Sequence, residues 1–124
     1  MLNVTILIGR LGRHPEIRHT QDGKKVATFR LATSEFYKGE ERTEWHSVVV
    51  WDEVLIDVLA NRCRSGTLIA LVGTTRTRPY EDKAGNQKHV TEVILDKFAS
   101  KLQVLGGGIV KGEKPDRQVD DEIP

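Results

Sequence analysis

At 124 residues, 38% hydrophobic and 30% charged, the chain has the size of one ordinary domain, able to bury a core beneath a polar surface. One cysteine, Cys63, excludes an internal disulfide and suits a reducing compartment, and four scattered histidines (His14, His19, His46, His89) give no metal-ligand spacing and no sign of a cofactor. The net charge is +1, but residues 106–124 set Lys111, Lys114 and Arg117 against Glu113, Asp116, Asp120, Asp121 and Glu122, a net −2, leaving +3 on residues 1–105.

The opening MLNVTILIGR lacks the basic-then-apolar layout of a signal peptide, and no apolar run approaches bilayer length, so a cytoplasmic location is expected. Residues 3–11 alternate around Val4, Ile6 and Ile8 and predict a first strand. Gly9 and Gly12 are read as bracketing a bend, and His14-Pro15 discourages continued regular structure. Asp22-Gly23 is a tight-turn signal opening a second strand over 25–37. There Phe29 and Leu31 are expected to face the core, with Thr28 and Arg30 toward solvent. The polar turn Lys38-Gly39-Glu40-Glu41 then predicts a hairpin with the third strand.

That third strand, TEWHSVVVW over 43–51, is rich in the branched and aromatic residues that suit a pleated, half-buried surface. Alternation puts Trp45, Ser47, Val49 and Trp51 on one face and Glu44, His46, Val48 and Val50 on the other. Six residues apart, the two tryptophans stand roughly 20 Å from one another along an extended strand. That spacing suits two stacking stations for separate bases; the plainer alternative is a pair of core fillers.

Asp52 is a natural N-cap, with Glu53 in the first turn of a short helix whose Leu55, Val58, Leu59 and Arg62 recur at helical spacing. Gly66 stands where such a helix would stop. A fourth strand is expected over 67–78 and a fifth over 88–98, joined by the polar loop PYEDKAGNQ with Ala84-Gly85-Asn86 as its turn. Three strands, a helix and two strands is the order of the five-stranded oligonucleotide-binding barrel, an all-β fold with one short helix. Beyond Leu105, Gly106-Gly107-Gly108 breaks structure, so 1–105 is read as the domain and 106–124 as a disordered acidic tail.

Binding a single strand needs π faces for bases and cations that track phosphates. The aromatic candidates are Phe36, Tyr37, Trp45, Trp51 and Tyr80, most of them at strand ends or beside loops, while Phe29 and Phe98 suit the core. Arg76, Arg78 and Tyr80 share one strand parity, a basic and aromatic ribbon. Lys24, Lys25, Arg30, Lys38 and Arg64 are weaker cation candidates, since any of them also suits an ordinary solvated surface.

At these residues the chain resembles the bacterial single-stranded DNA-binding protein family over 2–105. The resemblance is carried by NVTILIGRLGRHPEIR, VATFRLATSE, TEWHSVVVW, RSGT, VGTTRTRPYEDKAGN and TEVILDKF in that order, and by the acidic tip DDEIP. It implies a non-catalytic, nucleoid-associated protein that coats single-stranded DNA, usually as a homotetramer. The family's stacking positions fall on Tyr37, Trp45, Trp51 and Tyr80. Tyr37 and Tyr80 stand where tryptophan is common, and His46 falls at a position associated with the subunit interface. Ser47 replaces a basic residue and Asp52-Glu53 a glycine-lysine pair, which implies weaker phosphate attraction. The family's glycine- and glutamine-rich linker is cut to a few residues. Its tail implies docking of DNA-maintenance enzymes by Asp120, Asp121, Glu122, Ile123 and Pro124. The usual aromatic after the proline is missing, so docking is expected to be poor, and one phenylalanine added after Pro124 should restore it.

Two other functions are open to a barrel of this kind. A nuclease on the same barrel needs gathered carboxylates or a placed acid and base, whereas Asp52, Glu53 and Asp57 are assigned to a helix start and Glu40, Glu41 and Glu44 to a turn. An accessory barrel of a replication or recombination complex would use the same aromatics against protein and bind DNA weakly. Quenching of the tryptophans by DNA separates that reading from direct binding.

Overall fold

The computed structural model describes residues 1–97 and 99–107. Its elements are β1 (Thr5–Leu11), β2 (Glu16–His19), β3 (Lys25–Tyr37), β4 (Glu40–Val50), α1 (Glu53–Arg62), β5 (Leu68–Glu81), β6 (Gln87–Leu95) and β7 (Lys101–Gly106). Phe98 and residues 108–124, with the acidic tip, lie outside the described residues.

β1 pairs antiparallel with both β3 and β5, and this double pairing closes the ring β1-β3-β4-β6-β5. The contact between β4 and β6 is parallel, and the other neighbours in the ring are antiparallel. This is the expected five-stranded barrel with one short helix. Alternation sends Phe29, Leu31, Val48, Val50, Leu71 and Leu95 inward, where they form one core with Ile56 and Leu59 of α1. Phe29 and Leu31 therefore face the core as expected, and Arg30 between them is exposed.

Two strands went unread in the sequence. β2 pairs with β3 from Glu16↔Thr28 to His19↔Lys25, and all four of its residues are exposed, so it carries no buried alternation to read. β7 pairs with β5 and packs Leu102 and Val104 against the core. Here the alternation Lys101-Leu102-Gln103-Val104 was present as a signal. Gly106 ends this strand rather than opening a tail. β6 stops at Leu95 instead of reaching Phe98, because the chain turns: the Asp96 amide donates to Ser100 Oγ at 3.0 Å and Ala99 takes a left-handed φ of 61°.

The third strand begins earlier than expected, since the hairpin turn holds two residues and not four. Lys38 and Gly39 have φ of 52° and 79°, the paired left-handed conformation of the turn whose twist matches a hairpin. Glu40 and Glu41 are thereby freed to pair with Tyr37 and Phe36. Asp52 does cap the helix, its Oδ1 accepting the Val54 amide at 3.0 Å. The buried stripe of α1 centres on Ile56 and Leu59. Gly66 does not end the helix. Cys63 does so in an extended conformation, and Gly66 serves a separate turn closed by the Thr67 amide on Arg64 O. Burial pushes the Cys63 thiol up, and the nearby Arg62 charge opposes that only in part.

Candidate nucleic-acid interface

The strand registers decide which candidates share a face. Arg30 stands opposite Ser47 and Ala32 opposite Trp45, so Arg30 and Trp45 are diagonal neighbours on the outer surface. The guanidinium lies over the Trp45 ring, 5.5 Å from its centroid. Val49 stands beside Ile94, and Arg76 opposite Glu92, which carries the same face across β6 to β5 with Arg78 and Tyr80. Trp51 lies just past the end of β4, yet its amide still donates to Leu95 O at 2.7 Å, so the extended register continues to it. Trp45 remains 48% exposed, Trp51 41% and Tyr80 40%, so none of the three rings is a core filler.

Beside Trp45, the one of these rings that lines it, runs a groove of about 640 Å³. Trp45, Ser47 and Val49 line it from β4, Arg30 from β3, Arg13, His14 and Glu16 from the β1–β2 connection and β2, and Glu92 from β6. Gly12, at the same wall, lies in the bend expected there. It also allows close approach: a Cβ there would stand 2.7 Å from Cζ3 of Trp45, so only glycine lets the ring lie against the backbone. The Gly12 amide donates to Arg30 O at 3.0 Å, and Ser65 Oγ donates to Gly12 O at 3.0 Å. The loop after α1 thus braces the wall beneath the ring. Arg64 sits exposed in that loop and does not line the groove.

The β3–β4 hairpin splits the remaining aromatics. Phe36 has the parity of Arg30 and Trp45, whereas Tyr37 falls on the opposite face, with Glu35, Arg42 and Glu44. There the Arg42 guanidinium lies 4.6 Å and the Lys38 ammonium 5.3 Å from the Tyr37 ring centroid. Further along that face His46 Nε2 and Thr33 Oγ1 are hydrogen-bonded at 2.9 Å.

On β5 the two arginines differ. Arg76 is exposed and has no ion-pair partner among the described residues. Arg78 donates from Nε to Glu92 Oε1 at 2.8 Å and from a terminal nitrogen to Oε2 at 3.4 Å. That hydrogen bond, and then the carboxylate's charge, raises the guanidinium above its usual value. Beyond Tyr80 the hairpin tip is built on Asp82, whose Oδ1 accepts the Asn86 amide at 2.8 Å and the Ala84 amide at 2.9 Å. The Asn86 amide is the main cause holding this partly covered carboxyl below the usual carboxylate range.

The sequence did not mark Arg13, Glu16, Arg42 or Glu92 as site residues, and it offered Gly12 and His14 only as signs of a bend. Arg13 and His14 lie outside regular structure, where no periodicity flags them. Glu92 had a signal, since it stands opposite Arg76 once the fifth strand is paired with the fourth.

A family model described as "Single-strand binding protein family" matches residues 2–102. The curated single-stranded DNA-binding protein of Rhizobium meliloti (strain 1021) is 44% identical over 112 residues, covering 86% of this chain and 64% of that protein. Its counterpart in Rickettsia felis (strain ATCC VR-1525 / URRWXCal2) is 43% identical over 110 residues, covering 84% and 72%. The chain thus spans about two thirds to three quarters of these relatives' lengths, 64% of the first. A solved structure described as Plasmodium falciparum SSB in complex with ssDNA superposes with a TM-score of 0.79 at 36% identity, covering 85% of this chain and 96% of that one.

Proposed function

This chain belongs to the single-strand binding protein family, and from that premise we propose that it coats and protects single-stranded DNA during replication, recombination and repair, without catalysis. The observation that carries the reading is one outer barrel face bearing three half-exposed rings, Trp45, Trp51 and Tyr80, the first of them lining a groove with Arg30 and Arg13 at its wall. Bases stack on such rings whatever their sequence, and cations beside them follow the phosphates. Phe36 extends this face along the hairpin. Tyr37, with Lys38 and Arg42 over its ring, is a second station that a strand reaches by wrapping round the hairpin. Arg76 and Arg64 are the exposed cations proposed to meet phosphates beyond the groove. The site holds no helix shaped for the major groove, so duplex binds much more weakly.

The same reading includes self-association. Val4, just before β1, and Ile6 and Ile8 on its outside are exposed, with Val72 and Ala70 of β5 beside the last two in register. An apolar sheet face of this kind is suited to cover by further copies, and a homotetramer is the assembly proposed. Asp120, Asp121, Glu122, Ile123 and Pro124 are proposed to dock DNA-maintenance enzymes, with the acids steering toward a basic pocket. A cytoplasmic, nucleoid-associated location belongs to this reading.

Tryptophan fluorescence titrated with oligo(dT) tests the central claim. Quenching that saturates, with little response to duplex of the same length, is expected. Binding seen by another method with unchanged fluorescence would remove the tryptophans from the site.

A further inference from the structure

A carboxylate on a face meant for a polyanion calls for a reason. Glu92 lies in the groove with Arg13, His14, Arg30 and Trp45, and its side chain is only 12% exposed. Both of its oxygens point to Arg78, at 2.8 and 3.4 Å, in a fork-to-fork pair. Arg78 itself is exposed, yet its charge is met from within the chain.

We infer that Glu92 is an internal counter-ion that keeps Arg78 from phosphate, so that of the two β5 arginines only Arg76 contributes a free cation to the DNA path. This rests on reading the face as the single-stranded DNA site. The physical grounds are competition and geometry. A phosphate reaching Arg78 must break a charge-assisted pair already formed at hydrogen-bond distance. It would also leave a largely buried carboxylate without its partner in the same groove, which is costly. A phosphate gains less from Arg78 than from Arg76, which has nothing to give up. Glu92 then acts as a positioning residue: it holds Arg78 flat along the strand ladder between Arg76 and Tyr80, and it subtracts one cation from the site's attraction for the backbone.

The salt dependence of binding reads this directly, because each cation paired with a phosphate on a single strand adds about 0.7 to the slope of log K against log salt. Wild type, E92Q, R76Q and the double variant R78Q/E92Q are titrated with oligo(dT) across a salt series, with folding checked by circular dichroism. E92Q keeps an oxygen to accept the Arg78 hydrogen bond but releases its charge. It should bind more tightly at low salt, with a slope steeper than wild type by about 0.7, which between 50 and 200 mM is roughly a threefold larger loss of affinity. R76Q should be shallower than wild type by about 0.7. R78Q/E92Q replaces a neutralised ion pair by a neutral one and should keep the wild-type slope. A double variant shallower by about 0.7 would show that Arg78 meets phosphate in the wild type and would overturn the inference, whether or not E92Q folds. An E92Q slope equal to wild type would overturn it as well. If wild type itself fails to bind oligo(dT), the proposed function falls together with this inference; wild-type binding with either failed slope removes the inference alone.

Discussion

At the scale of single residues, the two kinds of ring in this protein should respond to truncation in opposite ways. Trp45 and Trp51 are half-exposed, and each stacks a base in the proposed complex, so Trp45→Ala or Trp51→Ala should weaken DNA binding by about 1–3 kcal/mol and leave folding largely intact. Phe29 is buried, and Phe29→Ala should cost about 3–5 kcal/mol of stability, seen as a lowered midpoint in urea. Tryptophan variants that unfold while the phenylalanine variant merely binds less well would reverse the two faces. Gly12→Ala is a finer probe. Its methyl would press on the far edge of the Trp45 ring, and because that ring is half-exposed it can tilt outward. A small stability change, a shifted tryptophan emission and weaker binding of oligo(dT) are expected. An unaltered emission spectrum would mean that the ring does not depend on the glycine.

The elements that project from the barrel are shaped by local chemistry. The β3–β4 hairpin depends on two successive left-handed residues, which Gly39 adopts freely and Lys38 only at a cost. The β5–β6 tip depends on the charge of Asp82, which carries Tyr80 at its base. Its carboxyl is held below the usual carboxylate range chiefly by the Asn86 amide; desolvation opposes this lowering, and the Ala84 amide adds to it. A group whose folded value is depressed stabilises the loop fully above its unfolded value and loses that contribution as pH falls through the folded one. The amide resonances of Ala84 and Asn86 should therefore hold steady from neutral pH down to the ordinary carboxylate range and move together below it. A transition at or above the ordinary Asp value would show that these hydrogen bonds do not favour the charged form.

For the molecule as a whole, the barrel has no open edge within its ring, because β1 closes it against both β3 and β5. What it leaves uncovered is the outside of β1, where Ile6 is 67% exposed beside Val72. If copies assemble through this face, Ile6→Asp paired with Ile8→Asp should convert a homotetramer into smaller species by sedimentation, while each protomer keeps its circular dichroism. An undiminished mass would place the subunit contact elsewhere, and a wild-type monomer at micromolar concentration would remove the assembly from the proposal.

Much of this protein can be read from periodicity and turn chemistry, because both are local. Alternation around Phe29-Arg30-Leu31 and Trp45-Ser47-Val49 set the inner and outer faces before any pairing was known. Asp52 announced its own cap, since a side chain bonding two residues ahead needs nothing from the rest of the fold. Local signals also misled: Gly66 looked like a helix stop, yet an extended Cys63 ends the helix three residues earlier. β2 was illegible because an outlying strand exposed on every side buries no residue and so leaves no pattern. Tertiary structure alone decided what depends on register between distant strands. It put Glu92 against Arg78 and Gly12 under Trp45, and it turned Tyr37 to the opposite side of the ribbon from Trp45. A sequence shows which residues alternate, but pairing decides which alternating sets meet, and a shift of one residue would exchange the faces.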